Sequence, residues 1–258
     1  MGNIVLLDDL TINKIAAGEV IERPASVVKE VMENSIDAGA TAITVEIRNG
    51  GISYIRVTDN GKGIMQDDLE IAFERHATSK LRSAEDLDDI KSMGFRGEAL
   101  ASIASIAKVT LDSKTADSYT GYEVVVEGGK ILSKEEAGCA NGTSITIENL
   151  FYNTPVRLKY LKSLYTELAY ITEYVNKMAL SYPDIKFILT NNEKILLNTD
   201  GSGRLLKVIN DIYGLTVTKK MIEIKGENDD YQVEGYISYP ELMKSNRNSI
   251  TTLVNGRI

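Results

Sequence analysis

Three polar side chains spaced over about two helical turns carry the first chemical signal in this sequence. They lie in Arg23-Pro-Ala-Ser-Val-Val-Lys-Glu-Val-Met-Glu-Asn-Ser-Ile-Asp-Ala-Gly-Ala40. At about 100° per residue, a helix brings Asn34 and Asp37 within roughly 40° of Glu30. Val28, Val31, Met32 and Ile36 fall on the other side, so an apolar face can pack on a sheet while the polar face looks into a cavity. A glutamate takes a proton from water, and an asparagine offers a neutral oxygen to a hard cation such as Mg²⁺. Asparagine is mildly unfavourable inside a helix, which points to a task for Asn34. Glu33 and Asp37 read as support or surface residues, with Asp37 kept among the nucleotide-binding candidates. This is equipment for hydrolysing a nucleoside triphosphate without a P-loop. Neither the G-x-x-x-x-G-K-[ST] pattern nor the protein-kinase loops occur in the chain.

A second group of residues extends the pattern. Asp59-Asn-Gly-Lys-Gly63 is on its own a turn after a strand, since Asp, Asn and Gly form turns. Read as a binding motif, Asp59 accepts from the exocyclic amine of adenine, and Gly61 and Gly63 let the backbone pass close to the base. In Gly94-Phe-Arg-Gly-Glu-Ala-Leu100 the backbone of Gly94, Phe95, Arg96 and Gly97 and the helix start beyond them make a phosphate cradle. The charged stretch 77–93 before it reads as a lid that orders over ATP, with Thr78, Ser79 and Lys80 as contacts. Thr143, at the start of a strand, can place its hydroxyl near the adenine. His76 is the only histidine and reads as structural or as a lid hinge. A histidine-kinase reading would need it as phospho-acceptor, and a stable phosphohistidine would be the sign.

The elements that must position these residues follow from periodicity and turn signals. A short helix capped by Asp8 or Asp9 ends near Gly18, and Pro24 opens the helix of Glu30, which stops at Gly39. Strands at 42–49 and 52–58 are joined at Asn49-Gly50, a tight-hairpin signal. A helix is expected over 67–76 and another from about 98 to 106. Strands follow at 107–114, 120–127, 130–135 and 143–149, then helices at 156–162 and 165–181 and a hairpin at 185–198. The order implies an α+β fold, a two-layer sandwich with a mixed sheet. Thr199-Asp-Gly-Ser-Gly203 reads as a boundary between a domain at 1–200 and the start of a second, truncated one at 201–258, with strands near 216–225, 231–239 and 250–254.

Composition narrows the function classes. The chain has 258 residues, 43% hydrophobic and 26% charged, with a net charge of -8. That excludes global disorder and makes the whole chain a poor non-specific nucleic-acid binder. Arg157-Leu-Lys-Tyr-Leu-Lys162 is a local basic exception. Cys139 is the only cysteine, which leaves no intrachain disulfide and no cysteine metal site. The N-terminus lacks the pattern of a signal peptide and no apolar run reaches membrane-spanning length, so a cytoplasmic location is expected.

A set of linked motifs resembles one family. Ile15-Ala-Ala-Gly-Glu-Val20, Glu33-Asn-Ser-Ile-Asp-Ala-Gly-Ala40, Asp59-Asn-Gly-Lys-Gly-Ile64, Arg75-His-Ala-Thr-Ser-Lys80, Gly94-Phe-Arg-Gly-Glu-Ala-Leu-Ala-Ser102, Phe151-Tyr-Asn-Thr-Pro155 and Val254-Asn-Gly-Arg257 occur in the order found in the MutL family of DNA mismatch-repair proteins. The resemblance implies a Bergerat-fold (GHKL) ATPase domain followed by part of a domain like the second domain of ribosomal protein S5. It implies Glu30 as general base, Asn34 as the Mg²⁺ ligand, Asp59 as the adenine reader and 76–97 as the ATP lid. It also implies an ATP-driven clamp between two protomers, a MutS-type mismatch sensor as partner, weak DNA contacts with Arg257 and 157–162 as candidates, and a downstream nuclease or helicase. In the family a lysine of the second domain reaches the γ-phosphate, and its matching position is expected beyond Ile258. A chain without it is expected to be a weak ATPase or an ATP-gated scaffold.

Overall fold

The computed structural model describes residues 8, 12, 15, 17, 18, 20–80, 93, 94, 97–243 and 250–255. Phe95, Arg96, Arg257 and most of the expected lid at 77–93 lie outside the described residues. Residues 12, 15, 17, 18 and 20 are helical. Helix α1 then spans Pro24–Asp37, with proline in its tolerated first turn. The backbone N–H groups of Ala38 and Gly39 close its end on Asn34 and Ile36, and Gly39 takes a positive φ of 74°.

Strands β1 (Ala42–Arg48) and β2 (Tyr54–Asp59) pair antiparallel, with Arg48 opposite Tyr54. The link between them is five residues long, not the two-residue Asn49-Gly50 turn. Asn49, Gly50 and Gly51 all have positive φ and form a 3₁₀ turn. It packs under α5 (Leu164–Ser181), where a Cβ on Gly50 would lie 2.7 Å from the Leu164 carbonyl oxygen. Helix α2 is one turn, Asp68–Ile71, instead of the helix expected over 67–76. Beyond Ile71 the bonds Phe73 N–H to Glu70 and Glu74 N–H to Ile71 shorten to i−3 turns, and His76 turns left-handed at φ 63°.

Helix α3 (Ala99–Ile106) leads into β3 (Lys108–Lys114), β4 (Gly121–Glu127), β5 (Lys130–Ala137) and β6 (Gly142–Glu148). After α4 (Pro155–Tyr160) and α5 come β7 (Lys186–Asn191) and β8 (Lys194–Asn198). One eight-stranded sheet results, in the order β5-β4-β3-β6-β2-β1-β7-β8. Its one parallel pair is β1–β7, which makes the sheet mixed.

Along β1, β2 and β3, buried positions alternate with half-exposed ones, as in a sheet covered on one face. Val45, Ile47, Ile55, Val57, Val109 and Leu111 face the layer of α1, α3 and α5. Val27, Val28, Val31 and Met32 of α1 are buried there as well. The fold is α+β, a two-layer sandwich.

Thr199 is buried at the expected boundary and accepts the Phe187 N–H on its hydroxyl at 2.9 Å. Helix α6 (Leu205–Tyr213) buries Val208 and Ile209 against the same body. A short helix α7 (Leu215–Thr218) stands where the start of a strand was expected, and β9 (Met221–Glu227) and β10 (Gln232–Ser238) form a separate two-stranded sheet.

Candidate nucleotide site

The site is built on the end of α1 and the ends of three central strands. Asp59 is the last residue of β2, and the sheet register sets it opposite Thr143 of β6, which in turn lies opposite Ser113 of β3. Residues 54 and 84 positions apart in the chain thus form one row. Asp59 Oδ1 accepts the N–H of Gly61 at 2.8 Å and that of Thr143 at 3.3 Å. Its Oδ2 accepts from the Ser35 hydroxyl at 2.7 Å. Thr143 Oγ1 lies 3.1 Å from Ser113 Oγ, which also accepts the Ile64 N–H at 2.8 Å. Ser35 and Ser113 escaped the sequence reading. Ser35 had a signal, a serine next to Asn34 on a helix, but its partner is set only by the fold.

The Asp59-Asn-Gly-Lys-Gly63 loop is clamped to the end of α1. Asn60 Oδ1 accepts the N–H groups of Thr41 and Ala42, both at 2.9 Å, and the Lys62 N–H donates to the Ala38 carbonyl at 3.0 Å. A Cβ on Gly61 would lie 2.9 Å from Ala38. Gly63 has φ 73°, and a Cβ there would run into the Lys114 carbonyl. These contacts account for the spacing between the helix and the loop: the two motifs touch.

At the other end of the site Lys80 Nζ lies 2.5 Å from Asp37 Oδ2 and donates to Asn34 Oδ1 at 2.8 Å. Asp37 also accepts the N–H groups of Met93 at 3.1 Å and Gly94 at 3.3 Å. Glu30 lies half-buried on the same helix. Glu33 is nearly buried and accepts from the Tyr174 hydroxyl of α5 at 3.1 Å. Burial, then the Glu33 charge and hydrogen bond, then the Glu30 charge hold the Tyr174 phenol well above the usual tyrosine range. Thr78 Oγ1 accepts the Lys80 N–H at 3.2 Å, and Ser79 is exposed. Gly97, at φ 64°, presses on the Ala77 backbone, and His76 Nδ1 lies 3.3 Å from Glu98 Oε1. The two ends of the 78–96 stretch therefore meet at one place. Of the basic stretch at 157–162, Arg157 turns inward toward the Ile21 carbonyl, 3.4 Å away, while Lys159 and Lys162 stay exposed.

No group of three His, Cys, Asp or Glu side chains that could hold a metal occurs among the described residues. A Mg²⁺ ion that takes one protein oxygen and completes its shell with phosphate oxygens and water needs none. Asn34 Oδ1 fits that role, because it already accepts a cationic group. Glycines 61 and 63 are required here by protein packing, since the places of their missing Cβ atoms are taken by Ala38 and by the Lys114 carbonyl.

Residues 21–151 match the model of the histidine kinase-, DNA gyrase B- and HSP90-like ATPase family, and 209–258 match that of the C-terminal domain of DNA mismatch repair proteins. The solved MutL ATPase domain of Aquifex aeolicus, complexed with ADP, is 33% identical, with a TM-score of 0.67 over 80% of this chain and 73% of that one. The chain belongs to the MutL family. A solved N-terminal domain of a DNA repair protein aligns at 28% identity and a TM-score of 0.77 over 90% of this chain and 74% of that chain. MutL of Staphylococcus carnosus is 54% identical over 257 residues, all of this chain but 40% of the relative. MutL of Staphylococcus aureus is 53% identical, with 38% of its length matched. The chain thus spans about two-fifths of the curated MutL proteins it matches. Among the described residues no helix is long and apolar enough to cross a membrane.

Proposed function

We propose that this chain binds and slowly hydrolyses ATP as the N-terminal part of a MutL mismatch-repair protein. The observation that carries the reading is the shared face of α1: Ser35 fastened to Asp59 at one end, Asn34 and Asp37 beside the Gly94 backbone at the other. That geometry has a base-reading end and a phosphate end on a single helix. The ADP complex of the Aquifex relative supports the choice of an adenine nucleotide.

In this reading Asp59 accepts from the adenine amine, with Gly63 and Thr143 bordering the ring. The Gly94 and Gly97 backbone, with Phe95 and Arg96 between, faces the phosphates, and Thr78, Ser79 and Lys80 reach them from the other side. Magnesium, when held by Asn34, supplies charge neutralisation to the triphosphate. Glu30 takes the proton of the attacking water on its carboxylate. The tethered ends of the 76–97 segment support its role as a lid that orders over nucleotide. Ordering of the lid closes two protomers into a clamp, coupling a MutS-type sensor to DNA and to a downstream nuclease or helicase. The division near residue 200 belongs to the same proposal, with α6 joining the two parts.

Calorimetric titration with a non-hydrolysable ATP analogue and Mg²⁺ tests it. The parent chain binds, Asn34→Ala loses most of the affinity, and Glu30→Ala keeps it. In the full-length protein Glu30→Ala lowers turnover at least about a hundredfold, the usual range for a general base. Unchanged turnover removes Glu30 as the base. No binding by the parent sinks the nucleotide reading of this chain.

A further inference from the structure

The ion pair of Lys80 and Asp37 is largely buried, with side chains 19% and 12% exposed. Each partner also holds a second group. The ammonium donates to Asn34 Oδ1 at 2.8 Å, the oxygen assigned above to magnesium. The carboxylate accepts the backbone N–H groups of Met93 and Gly94, at the edge of the segment assigned to phosphate. A Cβ added to Gly94 would lie 3.5 Å from Lys80 Nζ and 3.8 Å from Asn34 Oδ1, so all four groups share one small volume. A cation rests on the cation ligand, an anion rests on the anion donors, and the two are paired with each other as magnesium and phosphate are in a metal nucleotide. An ion pair that only tied the 78–94 stretch to α1 would need neither Asn34 nor the two amides.

We infer that Lys80 and Asp37 act as internal stand-ins for the metal and the phosphate, and that Lys80 competes with Mg²⁺ for Asn34. The inference rests on the reading of Asn34 as the metal ligand. Its consequence is selectivity for metal carried by nucleotide over free metal. Free Mg²⁺ gives up its water reluctantly and would have to displace from Asn34 a largely buried ammonium that stays paired with Asp37, setting two cations side by side with no added anion. A metal nucleotide brings its own phosphate oxygens. These take over the Gly94 amide and offer Lys80 a new partner, so both stand-ins are replaced in one exchange.

The test is thermal unfolding of the 258-residue chain in chelator and in millimolar Mg²⁺, without nucleotide, for the parent, Lys80→Met and Lys80→Arg. Lys80→Met is expected to unfold about 6 °C or more lower in chelator and to recover most of that loss in Mg²⁺. The parent and Lys80→Arg, each with a cation on Asn34, are expected to be indifferent to the metal. A Lys80→Met chain that ignores Mg²⁺ overturns the proposal, as does a parent or Lys80→Arg chain that responds equally. Titration of the parent and Asn34→Ala with ADP, with and without Mg²⁺, separates this failure from failure of the site. If binding depends on metal and Asn34→Ala loses that dependence, Asn34 remains the ligand whatever Lys80 does.

Discussion

Ser35 is the residue on which the proposed adenine end of the site turns. Its hydroxyl is buried and spans from the Val31 carbonyl of its own helix to Asp59 Oδ2. In the proposed role Asp59 has to present its oxygens in a fixed direction to read an exocyclic amine, and Ser35 is one of three donors that hold it. Ser35→Ala removes one hydrogen bond to a charged acceptor, worth about 1.5 kcal/mol, while alanine suits the helix better. The expected result is a nucleotide dissociation constant raised about tenfold with a thermal midpoint within a few degrees of the parent. An unchanged constant would mean that Asp59 is oriented without it. Gly63 makes the opposite prediction, one of stability. With φ at 73° and the Lys114 carbonyl where a Cβ would go, Gly63→Ala is expected to cost about 2 kcal/mol or more in denaturant unfolding. A loss under about 0.5 kcal/mol would show that the loop relaxes freely.

At the scale of elements, α1 is held from both sides. Its apolar stripe lies on the sheet, and its polar side is tied to α5 by the Tyr174–Glu33 hydrogen bond. Glu33 is 8% exposed, so removing its donor leaves a buried carboxylate short of a partner. Tyr174→Phe is expected to destabilise the chain by about 1–3 kcal/mol. The pH dependence has a definite sign. The folded-state phenol is held above its ordinary value, chiefly by burial and Glu33, so its contribution is complete below the unfolded tyrosine pKa of about 10 and declines as pH rises past it. The stability difference between parent and Tyr174→Phe should therefore be flat from neutral pH to about 9 and shrink above 10. A difference that grows with alkali contradicts the assignment. Helix α1 itself was legible, because proline, the apolar period and Gly39 agree. The length of α2 was not. Its hydrophobic pattern continues past Ile71, but the chain there has to turn back so that Ala77 meets Gly97.

For the molecule as a whole, charge restricts the proposed contact with DNA. A net charge of -8 repels a polyanion, so the proposed contact with DNA would have to be made locally. Lys159 and Lys162 are exposed, and Arg157 is committed to the Ile21 carbonyl. The double variant Lys159→Glu/Lys162→Glu in the full-length protein is expected to weaken non-specific DNA binding. It is also expected to lower the salt slope by about 1 for each phosphate that is no longer neutralised. An unchanged slope would move the DNA surface elsewhere. In the small sheet, Met221 of β9 and Tyr236 of β10 pack partly buried against the core of the sandwich, while Ile222, Val233 and Ile237 stay exposed.

Local patterns in the chain were enough to determine the fold class and most of the strand and helix series, and to nominate the candidate residues from Glu30 to Thr143, because each depends on periodicity, a turn residue or a motif read within a few positions. Distant pairings were decided by tertiary structure alone. Ser35 meets Asp59 across 24 residues and Tyr174 meets Glu33 across 141, while Lys80 rests on Asn34 across 46. Register across β2, β6 and β3 sets the row of Asp59, Thr143 and Ser113. Such contacts depend on how layers pack, and a sequence-local signal carries no information about which of several serines or tyrosines will face a given carboxylate.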